Sequence, residues 1–260
     1  MTPHLGFRTI GYRRLSPEEA ISRIALAGYD GVELCLEHPG LEPERLDAQR
    51  CRRLAELARE VGTRIATVSY HGDRDPLEMR WPRALRAVEL VPHFGCTVLI
   101  INSPRPGAGA PPDLEAQLHD HLGQQIERAE ALGVTLALEP EPGLVIHGVR
   151  EMMALMERFP SPALGVNLDV GHAELTEDDV PGAIRRLGSA IVAAHIEDIA
   201  GGVHQHLVPG TGEMDLAAII GALREIDFGG WMTVDLFDIA DAPDEAARAS
   251  LRAMRRLLGG

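Results

Sequence analysis

The chain contains no lysine; all 25 of its basic residues are arginine. That absence excludes Schiff-base aldolases, pyridoxal-phosphate enzymes and P-loop nucleotidases, each of which needs a lysine amine. Cysteine is scarce: Cys35, Cys51 and Cys96 are odd in number, far apart and without a CxxC pair, which suits buried thiols in a reducing compartment rather than a disulfide framework. Positive charge is also in deficit. Thirty-nine acidic residues give a net charge of −14, an argument against nucleic acid or an anionic membrane as partner. No apolar run reaches the length of a membrane span and no signal peptide opens the chain, so the expectation is a cytoplasmic protein that does not enter a membrane. A Gly-rich phosphate turn after the first strand is missing too; Gly11-Tyr12-Arg13-Arg14 stands there, which disfavours a doubly wound nucleotide fold.

What is present is a repeat. An apolar residue, a glycine and then a strand-like run recur six times, at Ala27-Gly28, Val61-Gly62, Phe94-Gly95, Leu132-Gly133, Leu187-Gly188 and Phe228-Gly229. Glycine after the last helical turn caps it in the left-handed conformation. Strand patterns fall at Leu5–Thr9, Val32–Leu36, Ile65–Tyr70, Val98–Ile101, Thr135–Glu139, Gly165–His172, Ile191–Ile196 and Trp231–Phe237. Helical patterns alternate with them. The first is capped by Ser16 and ends at Gly28; a second runs from Glu44 to Glu60 and a third ends near Phe94. Others cover Leu114–Leu132, Val149–Phe159, Val180–Leu187, Leu216–Ile226 and Asp244–Leu258. Eight strands alternating with eight helices, at about 30 residues per unit, are the arithmetic of a (β/α)8 TIM barrel. Residues 1–260 are read as one such α/β domain.

Active sites of these barrels lie at the carboxyl ends of the strands. Period-two alternation turns Ala137 and Glu139 inward on strand five, and Asn167 and Asp169 inward on strand six, with Val166, Leu168 and Val170 outward. Strand seven ends in His195 and strand eight in Asp235. Four consecutive strands thus each present one potential ligand at the same level. Three carboxylates and an imidazole converging in a barrel repel one another unless a cation sits among them. The set is mostly oxygen with one nitrogen. It points to one divalent ion, Mn²⁺ first, with Mg²⁺, Co²⁺ or Zn²⁺ as alternatives.

Five segments carry a resemblance: Gly28-Tyr29-Asp30-Gly31-Val32-Glu33-Leu34, Leu138-Glu139-Pro140-Glu141-Pro142-Gly143, Asn167-Leu168-Asp169-Val170-Gly171-His172, His195-Ile196-Glu197-Asp198 and His206-Leu207-Val208-Pro209-Gly210-Thr211-Gly212-Glu213. In this order they resemble the xylose isomerase-like TIM-barrel superfamily, and within it the sugar phosphate isomerase/epimerase branch, with its tagatose-type epimerases, inosose and 3-dehydroshikimate dehydratases and endonuclease IV. The resemblance implies that Glu139, Asp169, His195 and Asp235 hold the metal and that Glu139 and Asp235 act as acid and base. Asp235 stands where the family usually carries Glu, one methylene longer. His172 matches a family histidine that faces substrate, and Glu33 a pocket glutamate, with a structural ion pair as the alternative; His71, at the end of strand three, is a pocket-lining or a surface histidine, His206 stands near the substrate or packs its loop, and Glu141 and Asp198 support the ligands or anchor loops. In endonuclease IV an Asp-x-His pair matching His204 and His206 holds further zinc ions; here strand four ends Asn102-Ser103-Pro104, without a histidine, and one metal is the expectation. The loops at 102–113 and 200–213 are candidate lids, and Arg105 a candidate contact for an anionic group or a solvated loop residue.

The activity implied is a metal-dependent isomerase or epimerase acting on a ketose or related hydroxyketone through an enediolate. A dehydratase of the inosose or 3-dehydroshikimate type uses the same parts. An endonuclease IV-like nuclease and a non-catalytic relative, with Asp235 marking a decayed site, are the readings from other classes. The expected partner is a small sugar or polyol-derived molecule, with a homodimer as the quaternary alternative.

Overall fold

A computed structural model describes residues 4–107, 109–239 and 241–259. Eight parallel strands close into a barrel in the order β1 to β8: β1 His4–Arg8, β2 Gly31–Cys35, β3 Ile65–Tyr70, β4 Val98–Asn102, β5 Thr135–Glu139, β6 Leu164–Asp169, β7 Ile191–Ile196 and β8 Trp231–Val234. The helices are α1 Pro17–Ala27, α2 Ala48–Glu60, α3 Leu77–Leu90, α4 Leu114–Leu132, α5 Val149–Arg158, α6 Val170–Thr176, α7 Val180–Leu187, α8 Leu216–Glu225 and α9 Pro243–Leu258. Closure is made by β1 against β8, with Gly6 opposite Thr233 and Phe7 opposite Val234.

Local chemistry sets most boundaries. Ser16 caps α1 by accepting from the Glu19 N–H at 3.2 Å, and Pro17 occupies its first turn. Gly28 ends that helix at φ 98° and ψ 25°, in the left-handed region that glycine enters without penalty. Four further glycines of the repeat, Gly62, Gly95, Gly133 and Gly188, also carry positive φ. At the sixth repeat the expectation fails: Asp227, not Gly229, takes φ 54°. Its N–H caps the Arg224 carbonyl at 3.0 Å. Asp tolerates this region because its short polar side chain bonds locally.

Several element boundaries depart from the sequence expectation, most by one residue and a few by more. The second helix begins at Ala48 rather than Glu44: Pro43–Arg45 is a separate 3-10 turn, and Asp47 caps the helix by accepting from the Arg50 N–H at 2.6 Å. Strand six stops at Asp169, and Val170 to Thr176 is helical, because the Asp169 carboxylate accepts from the His172 N–H at 2.7 Å. Val170 therefore belongs to α6, not to the strand face. Strand eight ends at Val234, three residues before Phe237.

Two cores follow from the alternation. Outward residues such as Phe7, Val32, Leu34, Leu99, Leu136, Leu138, Val166, Leu168, Ile196 and Val234 pack with the helices in one buried apolar cluster. Inside the barrel, Ile100, Ala137 and Ala193 form a second, small plug. Below it the Trp231 ring takes the space: a Cβ on Gly31 would lie 2.6 Å from it. Small residues and one indole fill the amino-terminal end, so the inward polar side chains are raised to the opposite mouth. Among the described residues no helix is long and apolar enough to cross a membrane. Cys35 and Cys51 are buried free thiols as expected, while Cys96 is only half-buried.

Candidate active site

The inward positions nearest the carboxyl ends of β5 to β8 bring the four sequence-derived residues together. His195, fully buried, is the centre. Its Nδ1 lies 3.1 Å from Glu139 Oε2, 3.7 Å from Asp235 Oδ2 and 3.9 Å from Asp169 Oδ2. It has hydrogen-bond geometry to none of them. Its other nitrogen, Nε2, is committed to Glu33, 3.0 Å from Oε2. The carboxylates hold the His195 imidazole well above its ordinary pKa, although burial acts the other way. A ring nitrogen facing the point where three carboxylates converge, with its opposite nitrogen tied to a fourth, is the arrangement of an oriented metal-ligating histidine.

Glu139 is held from several sides. Asn167 Nδ2 donates to its Oε2 at 2.6 Å, and His71 Nε2 lies 3.3 Å from the same oxygen. Burial would raise its pKa, but His195 and His71 outweigh it and hold the carboxyl well below the usual range. His172 Nδ1 stands 3.4 Å from Glu139 Oε1 and 3.6 Å from Asp169 Oδ1. The same ring meets His204 edge-on, their Nε2 atoms 3.0 Å apart. His206 Nδ1 bonds the Asp235 backbone carbonyl at 2.9 Å, and its ring packs on Phe237 with centroids 4.6 Å apart.

The unpartnered buried atoms mark the centre. Asp169 Oδ2, His172 Nδ1, His195 Nδ1, His206 Nε2 and Asp235 Oδ1 all lack a hydrogen-bond partner. Each such atom costs about 1–3 kcal/mol when buried. Glu139, Asp169 and His195 offer ligand atoms within 4.8 Å of one another. A divalent cation satisfies this donor set, and these residues fit one.

Other sequence-derived residues take supporting places. Glu33 is buried beneath His195, accepting from Thr67 Oγ1 at 2.8 Å as well, so its carboxylate orients the imidazole. Asp198 gathers the backbone N–H groups of Ile199, Gly210, Gly212 and Met214, pinning both ends of the 200–213 loop. The tip of that loop, Gly201 to His204, is exposed, as are Gly210, Thr211 and Glu213 near its far end. Glu141 accepts from Asn102 Nδ2 at 2.9 Å, and burial raises its pKa. Arg105 is an exposed loop residue 3.7 Å from Glu141.

Three site residues escaped the sequence. Arg8, at the end of β1, donates from Nη1 to Asp235 Oδ2 at 2.7 Å and reaches His71 Nδ1 from Nη2 at 2.6 Å. That contact leaves His71 Nδ1 as an acceptor, so its proton sits on Nε2, toward Glu139. Asn167 was legible as inward-facing but not as a partner of Glu139. Glu197 is fully buried, and burial beside Asp169 pushes its pKa well above the ordinary value. For Arg8 a signal existed: the alternation that buries Phe7 outward turns its charged neighbour inward.

A family model described as "Xylose isomerase-like TIM barrel" matches residues 21–257. Fructoselysine 3-epimerase of Shigella flexneri is 25% identical, over 97% of this chain and 97% of its own length. A 3-dehydroshikimate dehydratase of Pseudomonas putida is 27% identical over 85% of this chain, which spans only 36% of that relative. Among solved structures, the IolI protein described with a bound zinc atom superposes with a TM-score of 0.80 at 18% identity, over 98% of both chains; at that identity the likeness shows the fold. With its closed eight-stranded barrel and a family match covering most of its length, this chain belongs to the xylose isomerase-like TIM-barrel family.

Proposed function

We propose that this protein is a divalent-metal-dependent sugar epimerase that acts on a ketose or related hydroxyketone through an enediolate. The observation that carries the reading is the cluster of buried, unpartnered ligand atoms on Asp169, His195 and Asp235 beside Glu139. Glu139, Asp169 and His195 are the residues that would hold the cation, with Asp235 next to them. When bound, a divalent ion supplies Lewis-acid polarisation of a carbonyl and its neighbouring hydroxyl, which acidifies the intervening C–H.

The chain's own groups then move the protons. Glu139, kept ionised by His195 and His71, takes the proton from carbon. Asp235 is the second proton-transfer group: Arg8, His206 and His195 keep it ionised against the effect of burial, so it first takes up a proton from water or a substrate hydroxyl and then delivers it to carbon. Return of the proton to the opposite face is epimerisation; return to the adjacent carbon is isomerisation. His172 and His206 line the approach as substrate-facing groups, and His71 and Glu33 hold Glu139 and His195 in place. The relatives named above, an epimerase and a dehydratase, support this chemical class.

The test is a metal-reconstitution assay in deuterated water. The Mn²⁺-loaded protein is expected to epimerise a member of a ketose panel and to place deuterium on the carbon beside the carbonyl. Dialysis against EDTA is expected to abolish turnover, and Glu139→Gln to lower it about 10³-fold. Full activity after EDTA dialysis would refute the metal reading. A dehydratase shares these parts, and loss of water from 3-dehydroshikimate without deuterium in a recovered ketose would select it instead.

A further inference from the structure

Glu141 stands two residues beyond Glu139, and the proton transfers above do not employ it. It lies in the run Pro140-Glu141-Pro142-Gly143. A proline fixes its own φ and holds the residue before it extended, so the carboxylate is presented from a stiff turn. Backbone bonds tie that turn down. The Glu141 N–H donates to the Ile146 carbonyl at 3.1 Å, and the Val145 N–H to the Pro104 carbonyl of the neighbouring loop at 3.0 Å. The carboxylate itself is only partly used. Oε2 accepts from Asn102 Nδ2 at 2.9 Å, whereas Oε1 faces Arg105 Nη2 at 3.7 Å, beyond hydrogen-bond distance. The Glu141 side chain is 12% exposed and that of Glu139 only 2%, so Glu141 sits on the solvent side of Glu139. Glu139, Glu141 and His172 bring polar side-chain atoms within 4.8 Å of one another, and His172 Nδ1 is buried without a partner. The carboxylate of Glu141 thus borders the centre where it opens outward.

We infer that Glu141 binds substrate hydroxyl groups beyond the reacting carbon, and that it selects a ketose with a neutral polyol tail over one that ends in phosphate. A substrate whose carbonyl end lies among Glu139, Asp169 and His195 must run its remaining carbons outward, and Glu141 is an acceptor on the β5 side of that path. An ionised carboxyl group only accepts, and hydroxyl groups supply the donors that its Oε1 lacks. Positive charge beside it is already engaged. Arg80 gives Nη2 to the Asn102 carbonyl at 3.0 Å and places Nη1 3.7 Å from Asp73, and Arg105 gives Nη1 to the Gly143 carbonyl at 3.4 Å. Asn102 Nδ2 also serves Asp73 at 3.0 Å, so a second carboxylate stands beside the first. A phosphate arriving there meets like charge. The inference rests on the epimerase reading of the preceding subsection.

Steady-state kinetics of the Mn²⁺-loaded protein tests it. The substrates are a ketose active in the panel, its analogues that each lack one hydroxyl beyond the reacting carbon, and its terminal phosphate ester. In the wild type, removal of one such hydroxyl is expected to lower kcat/KM about 10-fold to 100-fold, the worth of a hydrogen bond to a charged group. In Glu141→Ala the intact ketose is expected to lose the same factor, chiefly through KM, and removal of that hydroxyl to cost nothing further. A carboxylate that only anchored its loop would leave the cost of every hydroxyl unchanged in Glu141→Ala, and that result would overturn the inference. Should Glu141→Ala fail to fold for want of the Asn102 bond, Glu141→Gln retains an acceptor for Asn102 and removes the charge. The preference of the wild type for the free ketose over its phosphate ester is expected to fall about tenfold in that variant. An unchanged preference, or a wild type that prefers the phosphate ester, would overturn the inference and leave the epimerase reading standing. Failure of the wild type to epimerise any ketose of the panel would overturn both.

Discussion

The two halves of the barrel treat their buried polar atoms in opposite ways. On β1 to β4 the inward groups are saturated: Glu33 accepts from His195 and Thr67 and pairs with Arg8, and Arg8 is braced by Asp235, Glu33 and His71. On β5 to β8 and the loops that follow, Asp169, His172, His195, Glu197, His206 and Asp235 each keep a buried atom without a partner. Both halves are made from the same inward-facing positions of parallel strands, so the difference is one of purpose. The first half is a scaffold that fixes orientation and charge. The second leaves its lone pairs open, at a cost in stability that an ion held there would offset.

That contrast is open to direct attack. The largest effect is expected from the open half. Asp169→Asn should weaken Mn²⁺ binding at least about 100-fold in calorimetry, beyond what loss of an outer partner costs. From the saturated half, Glu33→Gln should act only through His195 Nε2 and weaken the same binding by about 10-fold to 100-fold. If Glu33→Gln matched or exceeded Asp169→Asn, the division between scaffold and ligands would be lost. The smallest effect concerns acid stability where the halves meet. Asp235 has a folded pKa of about 2 against an ordinary 3.8. A depressed folded pKa gives stability that is present above the unfolded value and lost as pH falls through the folded one. The metal-free protein should therefore lose stability to urea between pH 3.8 and about 2, and Asp235→Asn should flatten that limb. An unchanged limb would mean that Arg8 and Asp235 contribute nothing to folding as a pair.

Much of this was written in local pattern. β3, β5 and β7, and α4 and α7, have the bounds that periodicity and glycine placement predict, because a run's alternation and its stop signals sit inside the run. The inward placement of Glu139, Asp169 and His195 follows from the same period of two. Two of the failures share one physical origin: a side chain took a backbone partner that no periodicity encodes. Asp169 capped α6 and ended its strand early, and Asp47 moved the start of α2. The resemblance to the family supplied roles for single residues, such as His172 and His206, which alternation alone could not assign.

The sequence by itself determined the alternation of strands and helices, the level at which Glu139, Asp169, His195 and Asp235 emerge, and the absence of any lysine chemistry. These depend on neighbours within a few residues, where chain geometry is fixed. Only the tertiary structure decided who pairs with whom across the barrel. Arg8 and Asp235 are 227 residues apart and meet because β1 closes against β8. A charge on an isolated strand is free to face water; closure leaves it no such choice, and its partners become whatever the opposite wall presents.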